Sequence, residues 1–189
     1  MQNKELTYFQ LFRDVCKVIN SSLDLKVVLM LITENIVKLL NVKACTIFLL
    51  DRSRKKLDVS ASHGLSDAYL RKGPLDADKS IAETLDGKIV LIRDTSNDSR
   101  IQYPEEAKKE GIASVLSVPM TVKGQIIGVL RIYTSERRDF SENEYQLILG
   151  LADMGGIAID NARMYDRLKA DHESLIADTY QWFEFGKMP

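Results

Sequence analysis

The spacing of apolar residues predicts two helices at the start of the chain. From Leu6 to Ile19, apolar side chains recur at intervals of three or four residues, the period of an amphipathic helix. A broader apolar face runs from Val27 to Leu40, and the carboxylate of Asp24 is placed to cap that helix. We therefore expect two helices ahead of the first strand.

The middle of the chain changes to strand-like patterning. The apolar run Ala44–Leu50 and the alternating Leu57–Ala61 predict one hairpin. Val115–Val122 and Gln125–Tyr133 predict a second hairpin, because Gly124 between them tolerates the positive φ of a two-residue turn. Between the hairpins, the sequence predicts one further strand at Lys88–Arg93. It also predicts two short helices, at Ser80–Leu85 and Pro104–Glu110.

The last predicted element is a long helix. Ser141 and Glu144 have the spacing of a capping box, and no proline follows before Pro189. Gly155 and Gly156 interrupt this helix at a cost of roughly 1 kcal/mol each relative to alanine, so we expect a close approach to another helix or to the sheet there.

Composition restricts the classes of partner. Lys and Arg number 26 against 27 Asp and Glu, so no broad basic field exists to attract nucleic acid or an anionic membrane. No apolar stretch approaches the roughly 18 residues of a membrane span, and we expect a cytoplasmic protein without direct nucleic-acid or membrane contacts.

Four blocks in order resemble the signature of the GAF domain family: Ser117–Met120, Lys123–Leu130, Phe140–Glu144 and Ala158–Tyr165. The resemblance covers about residues 20–168. It implies a PAS-like α+β fold with a central antiparallel sheet of five to six strands. Terminal helices would pack on one face, and loops and short helices, within residues 62–114, would form a pocket on the other. We expect Gly128 to be glycine because a side chain would obstruct the facing helix.

The resemblance also implies an organisation and a function. We expect an N-terminal dimerisation and signalling helix (1–22), a GAF domain (23–168) and a C-terminal helical extension with an aromatic tip (169–189). The domain would bind a small molecule and transmit occupancy through the terminal helices of a homodimer, to an output domain such as a kinase or cyclase. A ligand-free GAF fold acting as a dimerisation or protein-interaction scaffold is the alternative.

Catalysis and known cofactors have little support in the sequence, and we expect no enzyme activity, no catalytic residues and no metal site. GAF relatives that reduce free methionine sulfoxide use several pocket cysteines, whereas Cys16 and Cys45 lie in a predicted helix and strand. An oxidoreductase using Cys45 is a third hypothesis. Bilin-binding relatives use a cysteine within the segment 62–114, and haem-binding relatives use a histidine near 105–110; neither is present, so both cofactors are disfavoured and the ligand stays unknown.

Candidate ligand-binding residues combine a few polar groups with apolar walls. They are Ser62, His63, Ile81, Arg93, Tyr103, Ser114 and Ser117. Each also has an ordinary structural alternative. His63 would then lie in a surface loop, Arg93 would form a loop ion pair, and the other polar groups would serve packing or strand hydrogen bonds.

Candidate dimer contacts lie on the two terminal helices. They are Phe9, Phe12, Tyr165, Leu168, Leu175 and Trp182. Together with Asn161, His172 and Thr179, the C-terminal members follow the alternating steps of four and three that are typical of a coiled-coil seam. A terminal helix folded back on its own domain is the alternative.

Overall fold

The computed structural model describes residues 8–10, 12–17, 24–51, 56–76 and 81–185, with side chains described as far as residue 176. Residues 8–10 and 12–17 are helical, and the rest of the predicted helix Leu6–Ile19 lies outside the described residues. The remaining elements are α1 (Leu25–Leu40), β1 (Ala44–Asp51), β2 (Lys56–His63), α2 (Asp67–Leu70), β3 (Leu75–Asp76), α3 (Ala82–Leu85), β4 (Val90–Ile92), α4 (Pro104–Glu110), β5 (Ser114–Val122), β6 (Gln125–Thr134) and α5 (Glu142–Phe185).

The six strands form one antiparallel sheet in the order β3-β2-β1-β6-β5-β4. This confirms the predicted α+β class and the predicted sheet. The β5–β6 hairpin turns at Lys123 and Gly124, whose φ angles of 51° and 75° are both left-handed, as a two-residue turn between twisted strands requires.

Local chemistry sets the ends of the helices. Asp24 caps α1 by accepting a hydrogen bond of 2.9 Å from the backbone N–H of Lys26. The predicted capping box starts α5: Glu144 accepts from the Ser141 N–H at 2.8 Å, and Ser141 Oγ accepts from the Glu144 N–H at 3.3 Å. Gly111 ends α4 with a φ of 71°.

The larger core lies between one face of the sheet and the terminal helices. α1, α5 and residues 12–17 pack there, with Phe12 beside Gly150 and Cys16 Sγ 3.6 Å from Met154 Sδ. The face of the sheet that meets these helices is called the helix face. It buries alternate residues of the central strands: Cys45, Ile47, Leu116, Val118, Met120, Leu130 and Ile132. The other face is covered by α2, α3 and α4, and Leu75 of the edge strand β3 also packs there, as the predicted two-sided arrangement requires.

Two details of the fold differ from the sequence predictions. The missing Cβ of Gly128 would lie 2.2 Å from the carbonyl oxygen of Phe48, so this glycine is required by a neighbouring strand and not by the facing helix. The elements α2 and β3, with four and two residues, were not predicted, because they are shorter than any detectable period.

One predicted strand differs in length, because β4 is shorter than Lys88–Arg93. The predicted long helix is α5, which extends from Glu142 to Phe185. Within the described residues, no helix is both long enough and apolar enough to cross a membrane.

Candidate ligand-binding site

Four polar side chains lie in register across the centre of the sheet, on the face opposite the terminal helices. Thr46 of β1 pairs with Ser62 of β2 on one side and with Arg131 of β6 on the other. Arg131 pairs in turn with Ser117 of β5. The hydroxyl oxygens of Thr46 and Ser62 are 2.9 Å apart. Because directly opposed residues share a face, these four side chains form a continuous band, the polar row.

Apolar side chains flank the polar row on both sides. One flanking row consists of Ala44, Tyr133 and Val115, and the other of Phe48, Val129 and Pro119. The first packs with residues of α2 and α4 and the loop that follows, namely Tyr69, Ala107 and Ile112. The second packs with Leu57, Leu75 and Ile81, from β2, β3 and the start of α3. The polar row therefore lies between two apolar clusters, under the short elements.

Arg131 is the most unusual member of the row. Its side chain is only 4 % exposed, and its Nε is buried without a hydrogen-bond partner. Its Cζ lies 5.7 Å from the centre of the Tyr133 ring. None of the ion pairs formed among the described residues includes Arg131. Among the described residues, Arg131 is thus a buried positive charge that no acidic side chain pairs with.

A second cation, Lys72, stands beside this region. Its Nζ lies 3.7 Å from the centre of the Tyr69 ring and donates to the Tyr69 carbonyl oxygen at 3.1 Å. Burial lowers the pKa of Lys72 to about 8, and the charge of Arg131 lowers it as well, whereas Glu110 and Glu106 oppose the shift. Lys72 also lines an open cleft of about 390 Å³, together with Phe48, Leu57, Leu70, Gly73 and Pro74.

One further polar group is buried on α3. Thr84 is fully buried, and its hydroxyl has no hydrogen-bond partner within the part of the chain that the structure describes. α3 packs against β5 and β6, the strands that carry Ser117 and Arg131. Burying a hydroxyl without a hydrogen-bond partner costs about 1–3 kcal/mol. A ligand that hydrogen-bonds to Thr84 would remove this cost.

Four of the seven predicted site residues lie on this face. Ser62 and Ser117 belong to the polar row, and Ile81 is buried in the apolar cluster beside Val129. Tyr103 packs against the same cluster, and its hydroxyl donates to the Pro74 carbonyl oxygen at 3.0 Å.

The other three predicted residues are not brought to this region. His63 is exposed and pairs with Cys45, whose side chain enters the helix-face core, so the imidazole lies on the Glu34 side of the sheet. Ser114 hydrogen-bonds the hydroxyl of Thr134 at the end of the β5–β6 pair. Arg93 is exposed, and its Nε donates to Asp139 at 2.8 Å.

Sequence reasoning missed Thr46, Lys72, Thr84 and Arg131. For Arg131 a signal was present, because it is a single charged residue inside the otherwise apolar run Val129–Tyr133 of a predicted buried strand. The others carry no comparable local signal.

The two cysteines lie away from the polar row. Cys45 is fully buried in the helix-face core, and burial raises the pKa of its thiol far above the ordinary value. Cys16 packs against α5. Across the described ranges there is no group of three or more His, Cys, Asp or Glu side chains with the arrangement of a metal site.

The sequence model of the GAF domain family matches residues 24–159, most of the chain, and this range includes the sheet, the short elements and the first part of α5. The chain belongs to the GAF domain family. A methyl sulfide methyltransferase-associated sensor from Methanosarcina acetivorans is 29 % identical over 132 residues, or 66 % of this chain. The match spans only 13 % of that sensor's length.

Solved GAF structures share the fold. The GAF domain of a phosphoenolpyruvate-protein phosphotransferase from Coxiella burnetii superposes with a TM-score of 0.76 at 20 % identity, covering 86 % of this chain and 98 % of that one. Free methionine-R-sulfoxide reductase from Neisseria meningitidis gives 0.71 at 16 %, covering 86 % and 93 %. A phycoerythrobilin-bound GAF domain of a cyanobacterial phytochrome gives 0.68 at 19 %, covering 84 % and 97 %. At these identities the likeness is one of fold, which does not fix a ligand or an activity.

Proposed function

We propose that this GAF domain is a non-enzymatic sensor that binds a small molecule over the polar row and transmits its occupancy through the terminal helices of a homodimer. The proposal rests on β5 and β6, because these two strands contribute side chains to both faces of the sheet. Their residues Ser117 and Arg131 belong to the polar row on one face, and alternate residues of the same strands pack against the helices on the other. The sensor role of the Methanosarcina relative agrees with this arrangement.

The surface of α5 supports a second copy as the partner of this helix. All side chains from residue 163 to residue 176 are exposed, so this segment does not fold back on the domain. As far as residue 176, where the described side chains end, the exposed large apolar residues of α5 are Ile157, Met164, Tyr165, Leu168, Leu175 and Ile176. Leu168 and Leu175 are seven residues apart, the repeat of a coiled-coil seam. Trp182 lies beyond the described side chains and stays a prediction.

The N-terminal helical residues add to this surface. Phe9 is 67 % exposed, and Phe12 is partly exposed although it also contacts Gly150 of α5. Both can therefore meet a second copy beside α5. We also propose the division into a signalling helix (1–22), a GAF domain (23–168) and a helical extension (169–189), in a cytoplasmic protein whose output partner is a kinase, a cyclase or a similar domain.

The position and burial of Cys45 support the non-enzymatic part of the proposal. Cys45 is on the opposite face with a strongly raised pKa, which leaves little thiolate for redox chemistry. We accordingly propose neither a haem nor a covalent bilin as the ligand.

One observation favours the scaffold alternative. The two apolar clusters, which include Tyr133, Tyr69 and Phe48, already occupy much of the space above the sheet. A domain filled in this way would dimerise without binding any small molecule.

Native mass spectrometry of the protein purified from its own host tests both possibilities. We expect a dimer that carries a small mass released on denaturation. A dimer without any bound mass, before and after addition of host metabolite extract, would favour the scaffold. A monomer at all concentrations would contradict dimeric signalling.

A matched pair of variants tests the proposed seam. Leu168→Asn combined with Leu175→Asn should give a monomer, because both substitutions remove exposed apolar contacts on one stripe of α5. Arg167→Asn combined with Ser174→Asn, one position earlier in each turn, should remain dimeric. Equal behaviour of the two double variants would contradict the seam.

A further inference from the structure

We propose that the ligand of this domain is a small organic carboxylate and that the guanidinium of Arg131 binds its carboxylate group. This inference rests on the proposed sensor function and names the ligand class for the same site.

The buried charge of Arg131 has an energetic cost. A charged group that is removed from water without a partner is strongly unfavourable, and natural proteins therefore pair such groups or use them in binding. Arg131 is 4 % exposed and its Nε has no acceptor. An anion that accepts from this Nε would compensate the charge, and a carboxylate matches the two-pronged geometry of a guanidinium.

Arg131 differs from two partly buried arginines of the same chain. Arg138 donates to the Leu40 carbonyl oxygen at 2.6 Å and pairs with Glu144. Arg100 pairs with Asp98 at 2.7 Å and with Glu83 at 2.9 Å. Both are more exposed than Arg131, yet both have acidic partners. Arg131 is the one of these three that lacks an internal anion.

The surroundings of Arg131 select among anions. Thr46 and Ser117, its two strand partners, carry hydroxyls that can donate to an oxygen anion. Lys72 is the second cation, but Glu106 and Glu110 lie within its electrostatic range. The guanidinium of Arg131 carries a single positive charge, which a monovalent carboxylate balances more closely than a phosphate dianion does. The flanking apolar rows suit an aliphatic or aromatic remainder of the ligand.

The test uses the full chain, unfolded in guanidinium chloride and refolded to remove any co-purified ligand. Thermal unfolding and isothermal titration are measured with sodium benzoate, sodium isovalerate and sodium phosphate against sodium chloride at equal ionic strength. Benzamide serves as the neutral counterpart of benzoate. The variants are Arg131→Met and Arg131→Gln, with Arg93→Met as the control for an exposed arginine.

We expect at least one of the two carboxylates to raise the melting temperature of the wild type, whereas benzamide does not. In both Arg131 variants the affinity should fall by about tenfold to hundredfold, the effect of losing a hydrogen bond to a charged group. Without ligand, Arg131→Met should melt at or above the wild-type temperature, because an apolar side chain replaces an unpaired buried charge. Arg93→Met should bind the carboxylate as the wild type does.

Several results would overturn the assignment. The assignment would be wrong if neither carboxylate affected the wild type, or if a carboxylate affected the Arg131 variants as strongly as the wild type. It would also be wrong if phosphate alone had an effect, or if ligand-free Arg131→Met melted well below Arg93→Met. The last result would make Arg131 a structural residue. Release of a neutral or cationic compound in native mass spectrometry would refute the carboxylate while upholding the sensor, and so the two proposals fail separately.

Discussion

Gly156 of α5 packs directly on the backbone of β5, where a Cβ at this position would lie 2.8 Å from the carbonyl oxygen of Thr121. The neighbouring Gly155 is also close to β5, but its Cβ would meet the terminal methyl of Met120, at 2.7 Å. A backbone oxygen is fixed by the sheet, whereas the end of a methionine side chain can move. The close approach predicted for this glycine pair is therefore between helix and sheet, and the two glycines differ in what they contact.

The first prediction follows from this difference. Gly156→Ala should lower the free energy of unfolding by about 1–3 kcal/mol through overpacking, even though alanine favours the helix by roughly 1 kcal/mol. Gly155→Ala is the matched control and should cost clearly less. Urea denaturation measures both midpoints. Equal stability losses would show that the carbonyl of Thr121 yields as readily as the Met120 methyl.

The capping box of α5 gives the second prediction. Ser141→Ala removes the side chain that caps the helix and should cost about 0.5–2 kcal/mol at pH 7, whereas Ser141→Thr should retain most of the stability. Burial alone would raise the pKa of Glu144, but the hydrogen bonds from Ser141 and the charge of Arg138 lower it overall.

The sign of the pH effect follows from that lowered pKa. The folded state holds the Glu144 proton less tightly than the unfolded state, so this stabilisation is present above the ordinary carboxyl pKa and is lost as pH falls through the folded value. The difference in stability between wild type and Ser141→Ala should therefore shrink on acidification below pH 4. Equal denaturation midpoints at pH 7, or a difference that grows in acid, would contradict the role of the box.

The third prediction concerns Lys72. Its pKa of about 8 is below the ordinary value of 10.5 because of burial and the charge of Arg131, despite the opposing Glu106 and Glu110. The unfolded state therefore binds more protons between pH 8 and 10.5, and the contribution of Lys72 to stability becomes more favourable as pH rises through this window.

A comparison with Lys72→Met isolates this contribution from the tyrosines, including the neighbouring Tyr69 and Tyr103. From pH 7 to pH 9.5, the free energy of unfolding of the wild type should rise relative to that of Lys72→Met. Lys88→Met removes an exposed lysine and retains Lys72, so this control should rise with pH as the wild type does. Parallel pH profiles of wild type and Lys72→Met would refute the lowered pKa.

The fourth prediction tests the cysteines. In a Cys16→Ser variant, the remaining Cys45 should react with a thiol reagent only after unfolding, because it is fully buried and its pKa is strongly raised. In a Cys45→Ser variant, the partly buried Cys16 should react faster in the native protein. Rapid native modification of Cys45 would instead support the oxidoreductase hypothesis.

The local elements and the family could be predicted from the sequence alone. Periodicity and caps gave α1, the β5–β6 hairpin and the start of α5, because these depend on residues a few positions apart. The GAF blocks then predicted the two-sided arrangement, which local periodicity does not contain.

Which polar residues meet depends on long-range contacts that the sequence patterns do not contain. Thr46, Lys72 and Arg131 are far apart along the chain, and the strand pairing and the short α2 that bring them to one face are set by long-range packing. The same alternation sent His63 and Ser114 away from that face, because neighbouring residues of a strand point to opposite sides. A candidate site of this kind depends on the register between neighbouring strands. Sequence patterns specify that register only indirectly, through the apolar residues that must face the core.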